Sequence, residues 1–166
     1  MVDVVDENDN ILHPVYKEEA HQKGLLHRTV ISEIKDSAGR WVLIKQSSGK
    51  QDAGQFVSAI GGHVQAGETE EEALAREAQE ETGLTNVDYK LIGKVISKRN
   101  VLDHQENHYF ILYEIYSDQN IQLNEESQEC RLFTEEELRN SLKQTPAMFG
   151  TAFHLVVKTF YPQLLG

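Results

Sequence analysis

Cysteine occurs once in the 166 residues, at Cys130, and proline only three times. One cysteine rules out an intrachain disulfide framework and any zinc site built from several thiolates. With so little proline, no low-complexity tract and no internal repeat, nothing reads as an interdomain linker, and a single domain over 1–166 is expected. No apolar run is long enough for a signal-peptide core or a membrane span, and the opening residues MVDVVDENDN carry acids, so a cytoplasmic protein with no membrane partner is expected. Cations are also few. Sixteen Lys and Arg face 27 Asp and Glu, a net charge of −11. That balance excludes a protein that coats nucleic acid by neutralising phosphates, but leaves room for a small phosphorylated ligand. What the chain does have is 39% hydrophobic residues, enough at this length to bury roughly 70% of its unfolded surface around one core.

The residues between these bounds alternate between strand and helix patterns. Val2 to Val5 and Ile11 to Tyr16 flank the turn DENDN; Leu26 to Lys35 and Trp41 to Lys45 flank DSAG; Phe56 to Ile60 is a short apolar run. Tyr89 to Ile96, His108 to Tyr116 and Cys130 to Phe133 are further strand candidates, rich in β-branched and aromatic residues. Near the C-terminus, TEEELRNSLK opens with Thr134 and Glu137 at capping-box spacing. Phe149, Phe153, Val156, Val157 and Phe160 then recur at helical spacing before Pro162, as a core stripe. The order predicts an α/β (α+β) fold with helices packed on a mixed sheet.

One segment concentrates the charge. GGHVQAGETEEEALAREAQEETGL, from Gly61 to Leu84, holds seven glutamates, and from Glu68 onward these less Arg76 give −6, over half the net charge. Thr69 is a good N-cap, Glu72 completes a capping box and Gly83 stands where a left-handed residue closes a helix, so a helix over about Glu70 to Thr82 is predicted. Glu77, Glu80 and Glu81 share one arc, and Leu74, Ala75 and Ala78 share the neighbouring arc that can dock on a sheet. Such an acidic face is functional or merely solvated. Glutamates at i, i+3 and i+4 repel by a few tenths of a kcal/mol per pair, and only Arg76 is interleaved among them. A hard divalent cation would remove that repulsion, because Mg²⁺ accepts carboxylate oxygens and commonly bridges to phosphates.

From Gly62 the chain reads glycine, five residues, Glu68, seven residues, then REAQEETGL to Leu84. This resembles the Nudix box, with Ala78 where a larger aliphatic residue is usual. Seven fixed identities would coincide by chance roughly once in a hundred million windows. The resemblance implies a Nudix fold, a mixed sheet between helices, with the box over 62–84 forming a loop, helix and loop that hold Mg²⁺ or Mn²⁺. It also implies Glu77, Glu80 and Glu81 as metal ligands and catalytic carboxylates, with the Gly61 carbonyl as a further ligand. Arg76 and Glu68 become a pair that ties the loop to the helix. Gly61 and Gly62 are expected to let the backbone bend tightly and approach an ion or phosphate. The implied chemistry is attack of water on a phosphoanhydride of a nucleoside diphosphate linked to another moiety, or of a related diphosphate. Glu80, Glu81 or a carboxylate outside the box would take the proton.

A narrower similarity covers most of the chain: AHQKGLLHRTV, SAIGGHVQAGE and ENHYF resemble segments of type I isopentenyl diphosphate isomerases and their Nudix relatives. That resemblance implies a second metal site at His27, His63 and Glu106, with His21 aligned less securely and His108 where the isomerases carry a second glutamate. Imidazole there suits zinc or another transition metal better than Mg²⁺. The isomerases use a cysteine where this chain has Gly61, and their box is degraded where REAQEETG is intact, so hydrolysis is the better expectation. An isomerase-like enzyme, a nucleotide-binding sensor of the same fold and an unrelated acidic interaction domain are the alternatives. Lys45, Lys50, Lys98 and Arg99 are candidate phosphate contacts, and Phe56, Tyr89, Tyr109 and Phe149 could stack on a base or fill the core. A monomer or homodimer is expected.

Overall fold

The computed structural model describes residues 1–49, 52–101 and 104–166. The N-terminal hairpin pairs β1 (Val2–Val5) with β2 (Ile11–Val15) across the Asp6 turn, where the Asp6 carboxylate accepts from the backbone N–H groups of Asn8 and Asn10. A short helix, α1 (Lys17–Lys23), follows and ends at Gly24 in the left-handed conformation, φ 63°. The sequence predicts no helix here, because α1 buries only Ala20 and so carries no apolar period.

The organising strand is β3 (His27–Lys35). One edge pairs in parallel along its whole length with β8 (His104–Tyr116), which in turn pairs with β7 (Asp88–Val101). The other edge is shared end to end by β1, by β6 (Ile60–His63) and by β4 (Trp41–Gln46), all antiparallel. β4 continues past β3 to pair on the same edge with β5 (Phe56–Ser58), while its other edge pairs along its whole length with β9 (Ser127–Phe133). The apolar run expected as one strand from Phe56 to Ile60 therefore divides at Ala59: its first half pairs with β4 and its second with β3.

This mixed sheet is covered on both faces. On one, Val30, Ile34, Ile111 and Tyr113 pack against Ala73, Leu74 and Ala78 of α2 (Glu70–Thr82). On the other, Ile31, Trp41, Leu43 and Leu112 pack against α3 (Glu135–Gln144) and α4 (Thr151–Phe160) through Leu138, Phe153, Val156 and Val157. Phe149 belongs to the same core but precedes α4, whose N-cap is Gly150, so the expected stripe starts one turn before its helix. Thr69 and Glu72 form both halves of the capping box on α2, and Gly83 ends it at φ 73°. Among the described residues no helix is long and apolar enough to cross a membrane.

Candidate active site

The docked face of α2 differs from the predicted one. Ala75 is exposed and Ala73 is buried in its place. At a hundred degrees per residue the buried arc runs from Ala73 through Glu77, Glu81, Leu74 and Ala78 to Thr82, so two carboxylates lie within it rather than beside it. Glu77 has a side chain only 12% exposed, whereas the Glu80 side chain, at the rim, is 58% exposed.

Both inward carboxylates face β6. Glu81 accepts a hydrogen bond from the Gly61 N–H at 2.9 Å. Glu77 lies against Gly62 so closely that a Cβ there would stand 2.1 Å from the Glu77 carboxyl carbon. Neither glycine bends the chain: both are extended residues of β6 with no positive φ, which corrects the expected tight turn. Gly62 serves instead by leaving space. Burial pushes Glu81 up to about 8, assisted by the like charges of Glu77, Glu126 and Glu80 and opposed by the Gly61 N–H. Glu77 is also raised, chiefly by burial, against the lowering effect of Arg76.

Arg76 organises the loop. Its guanidinium grips both oxygens of Glu68, at 2.8 and 2.9 Å, and also donates to Glu77 at 2.7 Å, to the His63 carbonyl at 3.0 Å and to Glu80 at 3.4 Å. Glu77, Glu80, Glu81, Arg76, Gly61 and Gly62 all line one cavity of about 620 Å³. A second cavity of about 390 Å³ shares Gly61, Glu81, Asn124 and Glu126 with it. Lys98 and Arg99 line this second cavity from within β7, while Lys45 pairs with Glu129 at 3.6 Å outside both, and Lys50 lies outside the described residues. Phe56 and Phe149 are core, and Tyr89 is 48% exposed. Cys130 is exposed on β9 and lines neither cavity.

A separate cluster forms where α1, β3, β6 and β8 meet. His27 pairs in register with His108, and Thr29, the next residue on the same face of β3, pairs with His63. His21 completes the group from α1. The four imidazoles offer ligand atoms all within 4.8 Å of one another. His27 Nδ1 lies 2.8 Å from the Leu25 carbonyl, and the Nε2 atoms of His27, His63 and His108 are buried without a hydrogen-bond partner. Burial, with the neighbouring histidines, holds His63 and His108 down to about 3, and His27 is lowered by burial as well. Four imidazoles gathered this closely, three of them held toward the neutral form by burial, fit zinc or a similar transition ion far better than Mg²⁺. Glu106 lies outside this quartet: Arg99 contacts it at 3.4 Å, and with His108 it lines the 390 Å³ cavity.

Sequence reasoning missed Asn124 and Glu126, because they lie on an irregular segment before β9 with no pattern to mark them; it also missed Glu33, hidden inside β3.

The NUDIX domain family model matches residues 25–153. The chain belongs to the Nudix family. Its relatives include the protein named Isopentenyl-diphosphate Delta-isomerase 2 of Photorhabdus laumondii, 32% identical over 65% of this chain and 63% of that one. An uncharacterised Nudix hydrolase of Nostoc is 31% identical over 71% of this chain and 70% of that one. Another, from Streptomyces coelicolor, is 33% identical over 52% of this chain, which spans 49% of its length. DR0079 of Deinococcus radiodurans superposes with a TM-score of 0.74 over 96% of this Nudix chain and 98% of its own, at 22% identity, and a MutT protein of Methanosarcina mazei with 0.66 over 85% and 96%. These structures share the Nudix fold.

Proposed function

We propose that this single-domain Nudix protein hydrolyses a phosphoanhydride in a small diphosphate, such as a nucleoside diphosphate linked to another moiety, using Mg²⁺ or Mn²⁺ held by Glu77, Glu80, Glu81 and the Gly61 carbonyl. The observation that carries this reading is two inward carboxylates, Glu77 and Glu81, held against a glycine strand in one cavity with Glu80 at its rim. Arg76 and the Gly61 N–H offset only part of their desolvation, and a cation would supply the rest. When bound, the ion neutralises charge on the phosphate oxygens and lowers the pKa of water. The chain's own residues do the rest. Arg76 fixes Glu77 and the loop through Glu68, the Gly61 N–H orients Glu81, and one carboxylate of Glu80, Glu81 or Glu126 takes the proton of the attacking water. Lys98 and Arg99 supply positive charge across the adjoining cavity. We assign the protein to the cytoplasm, as a monomer or homodimer that acts without nucleic acid or membrane.

The histidine quartet supports a second, transition-metal site, formed by His21, His27, His63 and His108 with Glu106 nearby. It also favours, as a second reading, an enzyme akin to the isomerases; Gly61 in place of a cysteine and the position of Cys130 oppose it. The decisive experiment is a panel of nucleoside diphosphate derivatives, nucleoside triphosphates and isoprenoid diphosphates with Mg²⁺ or Mn²⁺, reading phosphoanhydride cleavage products (nucleoside monophosphate, pyrophosphate or phosphate) and isomerisation in parallel. Glu80→Gln should keep the fold and lose turnover roughly a hundredfold or more. Turnover close to wild type would remove Glu80 from the mechanism, and isomerisation without phosphoanhydride cleavage would replace hydrolysis.

A further inference from the structure

The floor of the 390 Å³ cavity is built from alternate residues of β3. Thr29 and Ile31 line it, and Glu33, next along the same face, lies fully buried beneath Ser58 of β5. Ile44, Val57, Phe110 and Leu155 form apolar walls. The Ser58 hydroxyl donates to Glu33 Oε2 at 2.5 Å. Glu33 Oε1 and Thr29 Oγ1 are both buried without a hydrogen-bond partner.

Glu33 does little to hold the core together. Its in-register neighbour on β8, Glu114, takes the stabilising partners instead: the Lys35 ammonium at 3.1 Å, the Tyr116 hydroxyl at 2.7 Å and the Tyr161 hydroxyl. The one hydrogen bond described for the Glu33 carboxyl comes from a residue of the cavity wall, and a buried carboxyl costs more than one such bond returns. Its effect is directional. A serine hydroxyl has one proton and two lone pairs, so a Ser58 that spends its proton on Glu33 offers the cavity only lone pairs.

We infer that Glu33 is a positioning residue that fixes the polarity of the Ser58 hydroxyl, and that Ser58 thereby selects a ligand moiety carrying a hydrogen-bond donor, a hydroxyl or amine, over a plain hydrocarbon. The inference rests on the reading that this cavity, joined to the carboxylate cavity through Gly61 and Glu81, takes the part of the diphosphate substrate beyond the reacting phosphates. A hydrocarbon there would leave the Ser58 lone pairs and the Thr29 hydroxyl dry. Sites built to bond a polar group reject the analogue lacking it far more strongly than apolar pockets discriminate by shape.

The test measures calorimetric binding at pH 8 with Mg²⁺, alongside turnover, for ADP-ribose and UDP-glucose as hydroxyl-bearing probes and isopentenyl diphosphate as the hydrocarbon probe. The proteins are wild type, Ser58→Ala, Ser58→Thr and Glu33→Gln, with cooperative melting as the check on folding. In Glu33→Gln the amide can donate to Ser58 and turn its proton toward the cavity. At least one hydroxyl-bearing probe should bind wild type tenfold or more tightly than isopentenyl diphosphate. Ser58→Ala and Glu33→Gln should each weaken that probe about tenfold, read in KM rather than kcat, and Ser58→Thr should restore it. Isopentenyl diphosphate binding as tightly as both other probes, no binding of either hydroxyl-bearing probe, or unchanged affinity in folded Ser58→Ala would overturn the inference. If Glu33→Gln does not fold, the two Ser58 variants decide. A persistent affinity margin with no cleavage of the diphosphate bridge in any probe under Mg²⁺ or Mn²⁺, read as formation of the two monophosphate products or, from isopentenyl diphosphate, of phosphate, would reject hydrolysis and leave the selectivity standing.

Discussion

Glu77 and Gly62 form a pair whose geometry separates fold from chemistry. The clash awaiting a Cβ at Gly62 is with the far end of a flexible side chain and not with backbone, and the φ of Gly62 is not positive. Gly62→Ala should therefore leave the melting temperature within a few degrees of wild type while displacing the Glu77 carboxylate and removing most turnover. Paired melting and activity measurements check this, and full activity would show that the contact is idle. Glu33 makes a prediction in stability. Burial raises it from 4.5 to about 7, with Glu114 adding like charge and Ser58 and Lys35 opposing. The native state thus binds more protons than the unfolded chain across that window. The contribution is fully present below pH 4.5, is lost as pH rises toward 7, and is level above it. The span is on the order of 3 kcal/mol. Glu33→Gln removes the titration, so urea denaturation from pH 4.5 to 8 should show a flatter stability profile than wild type; parallel profiles would refute the assignment.

Among the elements, α2 is specified most locally. Its N-terminus rests on Thr69, whose hydroxyl accepts from the Glu72 N–H at 3.1 Å while the Glu72 carboxylate accepts from the Thr69 N–H at 3.3 Å. Thr69→Ala should cost about 1 kcal/mol in urea denaturation and leave metal affinity at the far end of the helix nearly unchanged. This helix and the capped start of α3 were legible in the sequence because caps act over three residues. By contrast α1 was not, since a seven-residue helix that buries one alanine leaves no periodic trace. Nor was the break at Ala59 legible, because pairing with β4 or β3 is decided by distant strands.

On the scale of the whole molecule, the sheet order brings remote residues to one end. His21, His27, His63 and His108 come from four elements, and a transition ion among them would join those elements at a single point. Zinc at a hundredfold excess over its dissociation constant should then stabilise the fold by about 2.7 kcal/mol, a gain reversed by chelation and abolished in His63→Gln. Thermal melting with Zn²⁺ against Mg²⁺, with metal content of the purified protein, checks this; equal shifts from both ions would count against an imidazole site. What the sequence alone determined was the local grammar: the box, the caps of α2, the apolar strands and the excess of carboxylate over cation. Those depend on neighbours within a few residues and on composition. Only the tertiary structure decided that Glu77 and Glu81 turn inward on a glycine strand, that His21 joins the other histidines, and that Glu33 reaches a cavity wall through Ser58. Each of these is a contact between segments far apart in the chain, formed when both faces of the sheet are buried, and burial is what turns an ordinary carboxyl or imidazole into a group with a shifted pKa and an unmet partner.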